Sequence, residues 1–420
     1  MVRPSPTGGA RWVFRRAEEQ VIMGSRVLVV ADDLSGAGDS GVPFALREMR
    51  TLLALDDTGD AEVFVADTDS RHIEPDLAAK RVHEALDGHA QGRVVFKKID
   101  STLRGNVAAE VGAIVEHAAG AGVLLCPASP ATGRTVLGGV VHINGIPLHH
   151  TDSWNAEPDD APVDIASALD GLKVRHVALA SVRGKPAQLR ERVAQLLTEA
   201  EVVICDAVSE SDLRAVATAG SAAPAPPHWV GAAGLADALA ELLRPGYDIE
   251  PPPPVDGPVL AVVGSAHRVS RQQADYLAER FGHTRRLSAR ALVDAEPAAL
   301  ARIGEQLHDA LCTGDVLVTV EGPVEAGLAR ELTAALAEVC APATERAGLL
   351  VLTGGETARA VLGRRGVSGL RLLNELEPGV VLGRTIEKEP GYVITKAGAF
   401  GAPDTLHRAV SAVRCGRAVA

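Results

Sequence analysis

Two adjacent carboxylates end an apolar run in the segment VLVVADDLSGAGDSG, where Val27 to Ala31 lead into Asp32, Asp33 and a glycine-rich turn. Like charges side by side repel unless a cation, a donor cluster or a substrate hydroxyl engages them, so the pair is a candidate for taking up a proton or organising bound groups. A structural reason for both is hard to find from sequence. A second constellation stands in KKIDSTLRGN, where Lys97, Lys98, Asp100, Ser101, Thr102, Arg104 and Asn106 crowd one short segment. Arg104 has the fork that grips a carboxylate or phosphate, Ser101 and Thr102 can hydrogen-bond hydroxyls, and Asp100 can accept a proton. A polyhydroxy acid matches that set. Arg71 in DTDSRH and Arg134 in PASPATGRT follow two other apolar runs, with an ordinary surface arginine as the competing reading for each.

A third group lies late in the chain. Gly264-Ser265, Gly354-Gly355-Glu356-Thr357 and the segment Lys396 to Gly401 all follow short apolar runs. Glycines there let backbone N–H groups approach a ligand, and a following helix offers its positive end to a phosphate. Lys396 adds a cation, while Glu356 suits a ribose hydroxyl, a bound cation or a helix cap. One such loop alone reads as a tight turn; three in one region favour a nucleotide pocket.

These residues need strand ends to hold them. Arg26 to Ala31, Val63 to Ala66, Val94 to Ile99 and Val123 to Cys126 read as buried strands, each followed by a polar loop, and Val107 to Ala118 repeats its apolar residues at helical spacing. This is a βαβ series, and parallel sheets bind ligands beyond the carboxyl ends of their strands. Pro224 to Pro227 interrupts it and Pro251 to Pro254 ends it. The pattern restarts with strands at Val259 to Val263, Val316 to Val320, Leu349 to Leu352 and Tyr392 to Thr395, interleaved with helical stretches. The expected fold is therefore α/β with two domains, each a mainly parallel sheet flanked by helices, and a cleft between them. The boundaries read as an arm over 1–22, a first domain over 23–250, a proline-rich linker over 251–256 and a second domain over 257–420.

With 420 residues, 46% of them apolar, the chain has ample material for two cores. The net charge of −12 argues against nucleic acid or an anionic membrane as main partner. Five scattered cysteines without a C-x-x-C pair suit a reducing cytoplasm, and no apolar run reaches the roughly 20 residues a membrane span needs. The arm carries Arg3, Arg11, Arg15 and Arg16 but no apolar secretion core, so it reads as a flexible extension or an early start ahead of Met23. His149 and His150 read as loop histidines, and the metal ligands stay open.

Taken jointly, ADDLSGAGDSG, DTDSR, KKIDSTLRGN, PASPATGRTVLGG, GGETARAVLGRRG, ELEPGVVLGR and TKAGAFGAPDTL resemble the four-carbon acid sugar kinase family, in order, from about Arg26 to Leu406. The resemblance implies an ATP-dependent kinase, working with Mg2+, that phosphorylates the terminal hydroxyl of threonate, erythronate or 3-oxo-tetronate. It places the sugar acid on the first domain, at Asp32, Asp33, Arg71 and the Lys98 to Ser101 turn. It places ATP on the second, at Ser265, Gly354 to Thr357 and Gly398. Asp33, Asp32 and Asp100 are the candidate bases. Sugar acid and ATP are the expected partners, and a homodimer is an open expectation. The sequence departs from the family at Ser35, usually threonine, at Ala399, usually glycine, and at His267, usually serine.

Three rivals remain at this level. Gly36-Ala37-Gly38-Asp39 imitates the anion hole of ribokinase-like enzymes, but there the motif comes late in the chain, so the imitation reads as accidental. Aspartyl phosphatases space their two aspartates one residue apart, whereas these are adjacent. The third rival is a non-catalytic sugar-acid or nucleotide sensor on the same fold.

Overall fold

The computed structural model describes residues 26–56, 59–155, 157, 159–244, 254–265, 267–322, 328–389, 391–398 and 400–416. The arm over 1–22, Pro251 to Pro253 of the linker, and Ala399 lie outside them.

Runs of Val, Leu and Ile supply strands buried on both faces, as sheets covered by helices on either side require. In the first half these are β1 (Arg26–Ala31), β2 (Thr51–Ala54), β3 (Val63–Asp67), β4 (Arg93–Lys98) and β5 (Val123–Cys126). A small antiparallel sheet follows from β6 (Arg134–Leu137), β7 (Val140–Ile143) and β8 (Ile146–Pro147), then β9 (Val174–Val177), β10 (Val202–Cys205) and β11 (His228–Gly231). The second half contributes β12 (Val259–Val263), β13 (His283–Ser288), β14 (Val316–Glu321), β15 (Leu349–Thr353), β16 (Gly369–Glu377), β17 (Val380–Thr385) and β18 (Tyr392–Lys396). Five helices matter below: α1 (Leu34–Ala45), α2 (Val107–Ala118), α3 (Arg268–Ala278), α4 (Gly355–Arg364) and α5 (Thr405–Cys415).

Both halves share one 15-stranded sheet, in the order β13-β14-β12-β15-β18-β17-β16-β2-β3-β1-β4-β11-β5-β10-β9. The strands from β2 to β9 pair in parallel, as do those from β13 to β18. The two blocks that the sequence suggests are thus present, with an antiparallel hairpin, β16 and β17, inserted between them. The seam is β16 on β2, with Gly369, Leu370 and Arg371 opposite Ala54, Leu53 and Leu52. Helix α1 packs on β1, β2 and β3 and on β16 and β17, so one core runs under both halves. A second core lies wholly in the second half, under α3 and α5.

Three successive antiparallel pairings reverse the second parallel block relative to the first. In a flat sheet the two sets of carboxyl ends would face away from each other. Sheets twist by about 20–25° per step, so the six steps from β1 to β15 turn the block by roughly 120–150°, and bulges add to this. Two such irregularities interrupt the β16/β17 ladder, at Leu372/Asn374 and Glu375/Glu377. The twist offsets the reversal and brings both sets of strand ends to one cavity.

Strands β1, β5 and β12 have the bounds their sequences predict, and α2 spans Val107–Ala118. The hairpin β16/β17 and the edge strand β13 are additions: charged residues in β16, GLRLLNELE, and in β13, HTRRLS, break the apolar runs by which the other strands are recognised. Among the described residues, no helix is long and apolar enough to cross a membrane.

Candidate functional site

The carboxyl ends of β1, β4 and β11 and those of β12, β15 and β18 wall a cavity of about 230 Å³. Asp33, Lys98 and Arg104 stand on one side of it, Ser265, Gly355 and Gly398 on the other.

Asp33 is the N-cap of α1, its Oδ1 accepting from the Gly36 N–H at 3.0 Å. Asp32 is turned away from this cavity and is almost fully buried. Arg71 ties the two together: its Nε and Nη2 donate to Asp32 Oδ2 and Oδ1 at 2.6 and 3.0 Å, and Nη2 also donates to Asp33 Oδ1 at 2.8 Å. Each aspartate therefore has a structural reason, contrary to what the sequence suggests. Burial pushes the Asp32 carboxyl up, but Arg71, Lys97 and Lys98 outweigh it and hold the group below its ordinary value.

Asp100 ends the next strand and is equally committed. Its Oδ1 accepts from the Thr102 N–H at 2.8 Å and from the Thr102 hydroxyl, and Arg104 donates to both its oxygens, at 3.2 and 2.8 Å. Burial works against ionisation here too, but Arg104 and Arg71 hold it well below the ordinary value. Such a carboxylate is a weak base and a strong clamp. Lys98 and Ser101 line the cavity, whereas Lys97 points into the core onto Glu110 at 2.9 Å. Arg134 also lines the cavity, its guanidinium 4.6 Å from the centre of the Phe400 ring.

Asp39, which the sequence reading passes over within its accidental GAGD, faces the same cavity and a neighbouring one. Burial raises its carboxyl to about 6, Lys98 working against the rise and Asp33 with it. The signal available in sequence was helical spacing, since Asp39 follows Ser35 by one turn of α1.

The opposite wall is built from glycines. Gly354, at φ +97°, is the N-cap of α4 with no side chain capping it. A Cβ on Gly355 would come within 2.7 Å of Asp33 Oδ2 and 3.3 Å of Ser35 Oγ. A Cβ on Gly398 would collide with Ser265 Oγ, and one on Gly264 with Thr357 Oγ1. Thr357 thus packs behind the loop that carries Ser265. His267 caps α3, its Nδ1 accepting from the Val269 N–H at 3.2 Å, which is work a serine can do. Lys396 is buried below the loop, where Nζ donates to the Ala397 carbonyl at 2.6 Å. Burial lowers it to about 8, against the pull of Glu377. Glu356 looks into a separate cavity of about 490 Å³, 3.6 Å from His72.

Comparison with known proteins decides the relationship. Residues 27–239 match the sugar-binding N-terminal domain model and residues 260–406 the nucleotide-binding C-terminal domain model. The chain is 39% identical to a D-threonate kinase of Cupriavidus necator, over 93% of this chain and 99% of that one. It belongs to the four-carbon acid sugar kinase family. It is also 33% identical to a D-threonate kinase of Salmonella typhimurium, over 91% and 96% of the two chains. With a 3-oxo-tetronate kinase of Cupriavidus necator it shares 31%, over 91% and 95%. A solved structure from Salmonella typhimurium has the same fold at 21% identity, with a TM-score of 0.76 over 91% of this chain and 98% of that one.

Within this kinase the sequence-derived residues do not all converge. Asp33, Lys98, Asp100, Ser101, Arg71 and Arg104 meet in the cavity, as do Ser265, Gly355 and Gly398 from the other half. Asp32 and Glu356 face the neighbouring cavity, and Gly354, Thr357 and Lys396 support the wall from behind.

Proposed function

We propose that this kinase transfers the γ-phosphoryl group of ATP to the terminal hydroxyl of a four-carbon sugar acid, with D-threonate as its preferred acceptor. The observation that carries the reading is the cavity between a cation-rich strand edge and an uncapped, glycine-built helix start. The kinase names of the relatives favour it over the ribokinase-like and sensor alternatives, and the two D-threonate kinases favour that acid.

The residues fit a nucleotide. Gly355 and Gly398 lack a Cβ and so let their backbones lie close against Asp33 and Ser265 at the cavity wall, and the uncapped first turn of α4 offers N–H groups to phosphate. Asp39 would offer a hard carboxylate oxygen to Mg2+, which takes only one or two carboxylates beside phosphates and water. When bound, Mg-ATP supplies the phosphoryl group and neutralises part of its charge.

The chain's own residues do the rest. Lys98, Arg104 and Arg134 receive the substrate carboxylate, and Ser101 its hydroxyls. Arg71 fixes Asp33 so that one carboxylate oxygen is oriented toward the cavity. Asp33 takes the proton of the terminal hydroxyl on Oδ2, since Arg71 and the Gly36 N–H both engage Oδ1, whereas Arg71 occupies both oxygens of Asp32 and Arg104 both oxygens of Asp100.

Coupled ADP release, measured with D- and L-threonate, D- and L-erythronate and 3-oxo-tetronate, tests the proposal. Acid-dependent release that is fastest with D-threonate is expected. No release with any of them would refute the kinase reading, and faster release with another acid would refute the preference.

A further inference from the structure

The hydroxyl of Ser35 is buried, 7% exposed as a residue, and has no hydrogen-bond partner. An unsatisfied buried hydroxyl costs stability, and α1 has nothing to gain from one in its first turn, where alanine would pack as well. Its position explains it. Ser35 lines the cavity two residues after the N-cap of α1 and faces Gly355, the first residue of α4, so closely that a Cβ there would lie 3.3 Å from Oγ. The N-termini of two helices, of 12 and 10 residues, therefore meet at this hydroxyl, one from each half of the molecule. The first turn of α4 has no side-chain cap, and Lys98 Nζ lies near Gly36 on the α1 side. Donors and positive helix ends converge on one point, and the nearest carboxylate, Asp33, is held by Arg71.

We propose that Ser35 is the donor that holds the transferring phosphoryl group, at the meeting point of α1 and α4. The inference rests on the kinase reading above. In the transfer, the acceptor oxygen bonds to the γ-phosphorus as the bond from that phosphorus to the ADP oxygen breaks. The electron pair of the broken bond stays on ADP, and the acceptor proton passes to Asp33. Ser35 forms no covalent bond; its O–H donates to a γ-phosphoryl oxygen of bound ATP and more strongly in the transition state, and Gly355 lacks a Cβ so that this oxygen can reach it.

The test compares wild type, Ser35→Ala and Ser35→Thr in the full chain, with Mg2+ present. Calorimetry measures binding of the β,γ-imido analogue of ATP and of ADP, and coupled ADP release gives kcat. Loss of one charge-assisted hydrogen bond predicts that Ser35→Ala lowers kcat by about tenfold to a hundredfold. The same variant binds the imido analogue more weakly while its ADP affinity and sugar-acid KM stay at wild-type values, and Ser35→Thr restores both kcat and analogue binding. Wild-type turnover matched by Ser35→Ala would overturn the proposal alone. So would an equal loss of affinity for analogue and ADP, the mark of a packing role. Absence of turnover in the wild type would overturn the kinase reading and the proposal with it.

Discussion

Removing Arg71 is the most informative single perturbation, because one guanidinium holds two carboxylates and stands 3.8 Å from a third, that of Asp100. Its side chain is 13% exposed and that of Asp32 only 2%, so solvent screens the pair weakly. Breaking a buried pair from one side leaves an uncompensated charge and costs about 3–5 kcal/mol. Arg71→Ala is expected to lose that much against urea at pH 7, and Arg71→Lys to lose less, since it keeps the charge without the fork. The deficit must also depend on pH. Wild-type Asp32 lies below 3.8, so its contribution is present above that value and is lost as the pH falls further. Without Arg71 burial dominates and Asp32 binds its proton more readily, so the variant suffers most where the carboxylate must be charged. The gap between wild type and Arg71→Ala should narrow from pH 7 toward pH 4. Kinetically, a loosened Asp33 lowers kcat, and the sugar-acid KM rises roughly tenfold or more while the ATP KM changes little. A variant with the wild-type urea midpoint at both pH values would refute the buried-clamp reasoning, and unchanged kcat would separate Arg71 from catalysis.

Asp33→Asn keeps the N-cap bond but loses the proton acceptor, so kcat should fall by about 10²–10⁴ with ATP binding retained, as single-turnover and calorimetric measurements would check. Gly355→Ala drives a methyl onto Asp33, which Arg71 and the Gly36 N–H pin in place; a kcat loss on the order of a hundredfold with a lowered melting temperature is expected. Lys396 is charged below about pH 8 and neutral above it, so the ATP KM should rise above that pH in the wild type and stay flat in Lys396→Arg; identical profiles would remove Lys396 from nucleotide binding.

What could be read from the sequence follows from what each residue does locally. Strands such as VLVVA announce themselves because both faces are buried, and Lys98, Asp100, Ser101 and Arg104 stand out because four polar groups crowd a strand end. The pairings among them do not show. Nothing in DDLSGAGD says that Asp32 turns away from Asp33, and DTDSR gives no hint that Arg71 engages both, since that depends on β1 and β3 being neighbours. Asp39 escaped for the same reason: its environment is supplied by Lys98, from a strand over fifty residues away. The hairpin β16/β17 was present as the motif ELEPGVVLGR, yet its function as a bridge between two parallel blocks is a property of the sheet order and of no single segment.

Because strand pairing runs continuously from one half to the other, the described residues join the halves through the sheet itself. Swinging the halves apart about a linker would break the Leu53/Leu370 pairing and pull Arg359 of α4 from Asp67 and from the Leu55 carbonyl. A movement that keeps these pairings would have to twist the sheet, as a torsion bar twists. A change of about 2° per step is small beside the normal range of about 10–35°, yet over the six steps between β1 and β15 it rotates one wall of the cleft by about 12° against the other. Opening the cleft without breaking the short seam beneath α1 would then be a winding and unwinding shared among the strands.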